Sequence, residues 1–440
     1  MLALLVALLG FFAWTAARRL ALLTAAKPEP RFSIEGSDLG NRIRDTFIYA
    51  FGQKKMPYYR AAGIAHMMIF GGFLVVQLNT IKIWVRGFDE DFDYFGLLAL
   101  TNPLGAGYNI IKDLFSLLVL VGTSVFVYYR VIKPQKRMTL GVEGLIILGI
   151  IAGMMLADLV YDGANIVLHS HRTGEPVHYA IVEPAGSIFG LIFNALGLGD
   201  GALNVLRHAG FWIHATLPLV FLNILPYSKH FHIITSIPNV FTRVRQPNKL
   251  PTIADLEGKV EREEPIGFVK ASDLSWKDVL DLYTCTECGR CSDNCPAYTT
   301  EKKLSPKHVT LALRDHLLAC EPLVIYQGTA SEPRPEEIGE MKREEMHHAD
   351  PPKDAYFIPN QMVELVPNVI EPDVVWACTT CRACEEQCPV MISYVDKFVQ
   401  MRRNLVMMKN EFPAELMKPF NGIETNGNPW NMSAMDRANW

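Results

Sequence analysis

Apolar and polar positions divide this chain into two unlike parts. The first 240 residues hold long hydrophobic runs, while the last 190 are charged and read as water-exposed. Five runs are long enough to cross the hydrocarbon core of a bilayer as helices. They lie at 1–22, 61–84, 109–130, 139–163 and 207–228. A shorter apolar run, 182–198, contains Pro184 and reads as an interfacial or re-entrant helix in a loop. Residues 250–266 form a charged linker, and 328–355, rich in Glu, Lys, Pro and Ser, reads as a surface insertion.

Charge flanking the runs predicts their direction. Arg18 and Arg19 follow the first run, which lacks the basic start of a signal peptide and so anchors the N-terminus outside. Arg42, Arg44, Lys54, Lys55 and Arg60 follow on the same side. Arg130, Lys133, Lys136 and Arg137 lie between the third and fourth runs, and Lys229, Arg243, Arg245 and Lys249 after the fifth. Asp89, Glu90, Asp91 and Asp93 mark a loop on the opposite side. The positive-inside rule then places the polar C-terminal part in the cytoplasm of a multi-pass protein of the cell's inner membrane. At 440 residues the chain has room for two or three domains. Its net charge of −4, with no large basic face, gives no reason to expect nucleic acid.

Cysteine spacing supplies the chemistry. Cys285, Cys288, Cys291 and Cys295 precede Pro296, and Cys378, Cys381, Cys384 and Cys388 precede Pro389. Both runs read C-x2-C-x2-C-x3-C-P, the spacing of bacterial ferredoxins that hold two 4Fe–4S clusters. The fourth cysteine of each run normally ligates the other cluster. One cluster is therefore assigned to Cys285, Cys288, Cys291 and Cys388, and the other to Cys378, Cys381, Cys384 and Cys295. A structural zinc site, the competing reading, uses C-x2-C pairs without a third cysteine and C-P. The ninth cysteine, Cys320, reads as packing in an apolar helical stretch.

Intramembrane ionisable residues default to function. His214 and His232 are 18 residues apart, five turns of one continuous helix, which sets them about 27 Å apart on one face. His66, near the start of the second run, matches His232 in depth, and the two are expected to hold a haem b. Gly63, Gly71 and Gly72 are expected to let a porphyrin approach the backbone. His214 needs a partner at its own depth for a second haem, with His169 preferred and His208 competing. Asp158 and Asp162, one turn apart, read either as a proton relay to a quinone or as a water-exposed helix end. His171, His178, His347 and His348 read as loop residues, and His230 as a headgroup contact. The GLGDG at 197–201 lacks a preceding strand and is not a dinucleotide loop.

Residues 61–241 resemble the cytochrome b (gamma) subunit of respiratory nitrate reductase, through AHMMIFGGF at 65–73 and WIHATLPLVFLNILPYSKHFHIITSIPNVF at 212–241. The resemblance implies that His66 and His232 hold the cytoplasm-proximal haem and that His214 is one ligand of a distal haem. The family's other distal ligand falls at Val76 here. Residues 275–440 resemble the C-type iron–sulfur protein of heterodisulfide reductase running into the start of its D-type partner, with ETNGNPWNMSAMDRANW at 424–440 preceding that family's CCG domains. No cysteine follows Cys388, which implies a separate CCG subunit or a shortened chain. Together these parts resemble the membrane electron-transfer-flavoprotein:menaquinone oxidoreductases tied to fatty-acid β-oxidation.

The expected architecture is a membrane all-α five-helix cytochrome b domain (1–245), a linker (246–274) and a cytoplasmic, mostly α-helical two-cluster ferredoxin domain (275–410). The start of a D-like region (411–440) follows. The expected function is a membrane oxidoreductase passing electrons from reduced electron-transfer flavoprotein through two 4Fe–4S clusters and one or two haem b to menaquinone. Two other readings stand beside it. One is a quinol-dependent heterodisulfide or sulfur-compound reductase subunit, the other an electron conduit and membrane anchor for a CCG-domain partner.

Overall fold

A computed structural model describes residues 1–34, 37–245, 250–253, 255–326, 362–433 and 435–436. The expected insertion at 328–355, with His347 and His348, lies outside the described residues, as does Lys249. Among those described, the chain is helical, and its one bridge, Lys27 with Ser275, is isolated and parallel.

Five helices have the length and apolarity to cross a membrane. They are α1 (Leu2–Ala25), α3 (Arg60–Arg86), α4 (Pro103–Val127), α5 (Val142–Thr173) and α7 (Asp200–Ile224), with α2 (Ser37–Thr46) between the first two. Their starts and stops follow local chemistry. Asn102 caps α4 by accepting from Leu104 N at 3.0 Å, with Pro103 at the first helical position. Gly174, at φ 75°, ends α5 in the left-handed conformation that glycine adopts without penalty. The short apolar run forms α6 (Pro184–Ala195), whose first-turn amides at Ala185 and Gly186 are bonded by Asp113 of α4 at 2.8 and 3.1 Å. Residues 197–201 form the turn that opens α7.

The fifth span and the helix bearing His232 are not continuous. After Ile224 come two 3-10 turns, Leu225–Tyr227 and Lys229–Phe231, and a new helix, α8 (His232–Phe241). Pro226 has no N–H to continue the ladder, and Ser228 accepts from His230 N at 3.1 Å to start the next turn. The single-helix geometry expected for His214 and His232 is therefore corrected.

Two of the three glycines of α3 serve a different end from the one expected. A Cβ at Gly63 would fall 2.0 Å from Met56 O, at Gly71 2.6 Å from Phe115 Cε1, and at Gly72 2.1 Å from Val119 Cγ2. Gly63 and Gly71 thus admit neighbouring protein, as small residues do between membrane helices, while Gly72 packs on Val119 and also lines the cavity that His66 and His232 face.

The polar part packs onto the ends of these helices. It includes α9 (Leu256–Glu261), α10 (Trp276–Thr284), α11 (Arg290–Asp293), α12 (Pro296–Thr299), α13 (Pro306–Ala319) and later helices at Ala383–Gln387 and Val395–Arg403. Ser275 and Asp278 form a reciprocal capping box at the start of α10. One hydrophobic core joins Leu22, Ile147, Phe221, Leu225 and Phe231 of the membrane part to Leu274, Leu282, Tyr283, Leu313 and Phe398 of the polar part. Beside it Lys277 Nζ reaches Asp281 at 2.5 Å and Asn239 at 2.8 Å, and Asn239 donates to Val390 O at 2.8 Å. Burial alone would raise the Asp281 carboxyl, but Lys277 and Lys397 outweigh it and hold it below its usual range. The expected linker is only partly one, because Ile266, Ala271 and Leu274 are buried and Phe268 N bonds Gln400 O at 3.1 Å.

Candidate functional site

The two cysteine runs interleave. Cys285, Cys288, Cys291 and Cys388 line one small pocket with Gly289, Pro389 and Tyr394. The partner set follows, since Cys295 lies within electrostatic reach of both Cys378 and Cys384. Tight turns carry each loop: Gly289 at φ 73° and Arg382 at φ 61° precede the short helices that present Cys291 and Cys384. Cys388 Sγ accepts from Ile392 N at 3.5 Å and from Tyr394 Oη at 3.8 Å, contacts of the kind that tune cluster potential. Burial, and next the nearby Cys288, push the Cys291 thiol up to about 12. Such thiols give up their protons when a metal takes their place. Among the described residues no group of three His, Cys, Asp or Glu converges as a single metal ion would require. The four cysteines of the first set ring a small pocket instead, the arrangement a cubane needs. Cys320 is fully buried at the end of α13, its Sγ 3.7 Å from His316 Nε2, and takes no part.

Next to the first pocket lies a cavity of about 510 Å³. Thr286, Glu287, Cys288, Arg290, Pro389 and Val390 form its polar-side wall, and His66 and His232 face it beyond them. Their ring centroids are 6.4 Å apart. Two imidazoles bound to one metal at about 2.0–2.1 Å, with about 1.1 Å from nitrogen to ring centre, give roughly 6.3 Å. His66 Nδ1 meets Gln53 Oε1 at 3.2 Å, and His232 Nδ1 meets Lys229 O at 2.8 Å. Both acceptors favour the proton on Nδ1, leaving each Nε2 lone pair for a metal. At the same end Arg130 and Arg290 line the cavity, and the buried Nε of each has no hydrogen-bond partner. Orphaned buried donors of this kind suit the carboxylates of a haem. The residues present thus fit a b-type haem held by His66 and His232.

His214 is elsewhere. It is fully buried at the cavity's far end, with Nε2 3.2 Å from Thr80 Oγ1, Nδ1 3.2 Å from Met154 O, and Asp158 Oδ1 at 3.7 Å. No histidine is among these contacts. His169 is exposed and lies fifteen residues along α5 from Met154, about 22 Å at the helical rise. His208 is exposed as well. The pairing of His214 with either is corrected: α5 continues to Thr173, which carries His169 past the level of His214. Val76 is buried against Val119 and Met155.

Asp158 and Asp162 are brought together, with partners that hydropathy conceals. Lys112 of α4 places Nζ 3.3 Å from Asp158 and 3.3 Å from Asp113, and it also pairs with Asp162. Asn79 of α3 donates to Asp158 at 2.6 Å. The signal for Lys112 and Asp113 is their adjacency inside an otherwise apolar run.

Comparison with known proteins agrees with the iron–sulfur part of this anatomy. Residues 281–392 match the 4Fe–4S dicluster domain family. A probable iron–sulfur-binding oxidoreductase, FadF, of Bacillus subtilis is 32% identical over 91% of this chain and 55% of its own length. An EtfAB:quinone oxidoreductase of Syntrophomonas wolfei is 30% identical over 91% of this chain and 54% of its own. A probable membrane-anchored ferredoxin of Chromohalobacter salexigens is 29% identical over 41% of this chain and 25% of its own. The chain thus spans about half the length of the first two relatives. No solved structure matches it.

Proposed function

We propose that this chain, which is similar to an iron–sulfur-binding oxidoreductase and to an EtfAB:quinone oxidoreductase and matches the 4Fe–4S dicluster domain family, carries electrons from a soluble donor to membrane menaquinone by way of two 4Fe–4S clusters and haem b. One observation carries the reading. Cys288, Arg290, Pro389 and Val390 line both the four-cysteine pocket and the cavity that holds His66 and His232. One short stretch of protein thus separates the two cofactor places. When bound, the clusters and haem supply one-electron redox centres.

The chain's own residues fix the spacing. Arg137, in the loop after α4, donates to Cys288 O at 2.5 Å, and Lys307 of α13 donates to Arg137 O at 3.0 Å. Arg290 donates to Lys55 O at 2.8 Å, tying the same cysteine loop to the turn before α3. The second cysteine set is the open one, with Cys381 exposed and Cys378 partly so. A soluble donor docks there. The basic flanks support a cytoplasmic position for this side, with the N-terminus outside. The name of the Syntrophomonas relative and the sequence resemblance make reduced electron-transfer flavoprotein the donor of choice. A CCG-domain subunit joins the scheme only if activity requires one.

Membranes holding the protein test this. Acyl-CoA, an acyl-CoA dehydrogenase and electron-transfer flavoprotein together should reduce a b-type haem, followed by menaquinone. Cys381→Ser should block that reduction while leaving the haem reducible by a quinol analogue. Normal haem reduction in Cys381→Ser would take the clusters off the path. Reduction of wild type by quinol alone would favour the reverse flow. Activity that needs an added cysteine-rich subunit would favour the conduit.

A further inference from the structure

One cluster of charges lies deep in the spans with no role in the electron path. Lys112 is buried, as are Asp113 and Asp158. A structural clamp needs one ion pair, and charges at this depth are costly. Here three carboxylates surround one ammonium, and Asp113 is already occupied with the amides of α6. The remaining acids form a graded series. The Asp158 side chain is 1% exposed and that of Asp162 16%, while Glu183, in the turn before α6, is half-buried. A Cβ placed on Gly186 would lie 3.0 Å from Asp162 Cβ and 3.9 Å from Glu183 Cβ, so the two acids flank one point. Burial, and next the Asp162 carboxylate, push Glu183 up to about 7, where it exchanges protons near neutral pH. Lys82 and Tyr108 are the other titratable groups facing the cluster.

The series begins at the cavity. His214 lines it and stands 3.7 Å from Asp158. Phe73 and Leu74 line the same cavity and are 39% and 45% exposed on the lipid-facing surface of α3, which gives an apolar molecule a way in from the bilayer. His66 and Thr80, at the two ends of the cavity, are about 21 Å apart along α3. The far end is therefore separate from the His66–His232 site.

We propose that Glu183, Asp162, Lys112, Asp158 and His214 form a proton relay from the membrane face opposite the cysteines to a quinone bound at the His214 end of the cavity. This rests on the quinone-reducing function proposed above. Two electrons arrive singly from the flavoprotein donor, and two protons arrive through the relay. Each quinone carbonyl oxygen gains one proton as the ring is reduced, giving the quinol. At each passage His214 gives its proton to the quinone oxygen and regains one from Asp158. Asp158 is refilled by Lys112, Lys112 by Asp162, Asp162 by Glu183, and Glu183 by water. Nothing is left protonated or deprotonated after a cycle.

The test uses the full chain in liposomes with its cysteine domain outward and a pH dye trapped inside; dithionite is added in just the amount that reduces the haem and clusters, and menadione is added as acceptor once no dithionite remains. Wild type should show haem reduction by dithionite, reoxidation by menadione, and alkalinisation of the lumen. Glu183→Gln and Asp162→Asn should keep the haem spectrum and its reduction. Both should slow reoxidation about tenfold or more and abolish lumen alkalinisation. Glu183→Asp should restore both. Wild-type reoxidation in Glu183→Gln, or proton uptake only from the outer medium, would overturn the relay. A wild-type haem that dithionite reduces but menadione never reoxidises would instead overturn the quinone-reducing function itself, and the relay with it.

Discussion

Gly289→Ala should uncouple the membrane part from the first cysteine set. Gly289 sits at φ 73° beside Cys288, and an added Cβ would fall 2.0 Å from Arg137 O and 2.7 Å from Arg137 C. These are backbone atoms, so the loop itself must move. The left-handed conformation costs an alanine about 1–2 kcal/mol. Moving the loop also breaks at least one of two charged hydrogen bonds, Arg137 to Cys288 O and Lys307 to Arg137 O, each worth about 1.5–3 kcal/mol. The sum is about 2.5–5 kcal/mol, at or above the upper end of ordinary single substitutions. Gly107→Ala is the control, because a Cβ there meets nothing within 4 Å. Thermal unfolding of the detergent-solubilised protein, followed by haem and cluster absorbance, measures the difference. Limited proteolysis should also open the 133–139 loop in Gly289→Ala alone. Equal unfolding midpoints for the two variants, with the loop still protected, would refute the steric reasoning.

Other outcomes follow from the same geometry. Non-haem iron should approach about eight per chain, two cubanes' worth; Cys295→Ser should damage the cluster of the second run and Cys388→Ser that of the first, read by electron paramagnetic resonance. His66→Ala or His232→Ala should remove the b-type haem and leave the iron–sulfur signals, whereas His214→Ala should leave the haem spectrum intact. Gln53→Leu should weaken haem retention by about 10–100-fold, through loss of the contact that orients His66; unaltered retention would show that packing alone orients the ring.

Much of this is legible in the residues. Each of the five expected runs overlaps one of the five apolar helices, and the cysteine spacing anticipates which thiols share a pocket. His66 and His232 are adjacent as their matched depth implies, although the unbroken helix expected between His214 and His232 fails at Pro226. Boundaries cause the larger misses. The expected third run starts at 109, which makes Lys112 and Asp113 look like its polar edge. The helix begins at Pro103, which sets them about 14 Å inside it. The fourth helix outlasts its expected end by ten residues and carries His169 away from His214. Small residues on α3 signal close approach correctly, but spacing alone does not say whether a porphyrin or α4 approaches.

The core that α10 shares with the spans also bears on how the protein is made. Tyr283 stacks edge-on against Phe231 at 5.6 Å and donates to Arg19 O at 3.1 Å, while Arg19 pairs with Glu321 at 2.5 Å. Leu22 of α1 is fully buried in that core. Translation delivers the cysteine domain after the spans, and part of the surface it folds against is already inserted in the bilayer by then. Biogenesis is thus ordered: insertion first, docking of α10 second, and a settled cysteine scaffold only after that. A fragment expressed from residue 246 onward would present Leu274, Leu282 and Tyr283 to water, and should emerge as an aggregate instead of a soluble ferredoxin.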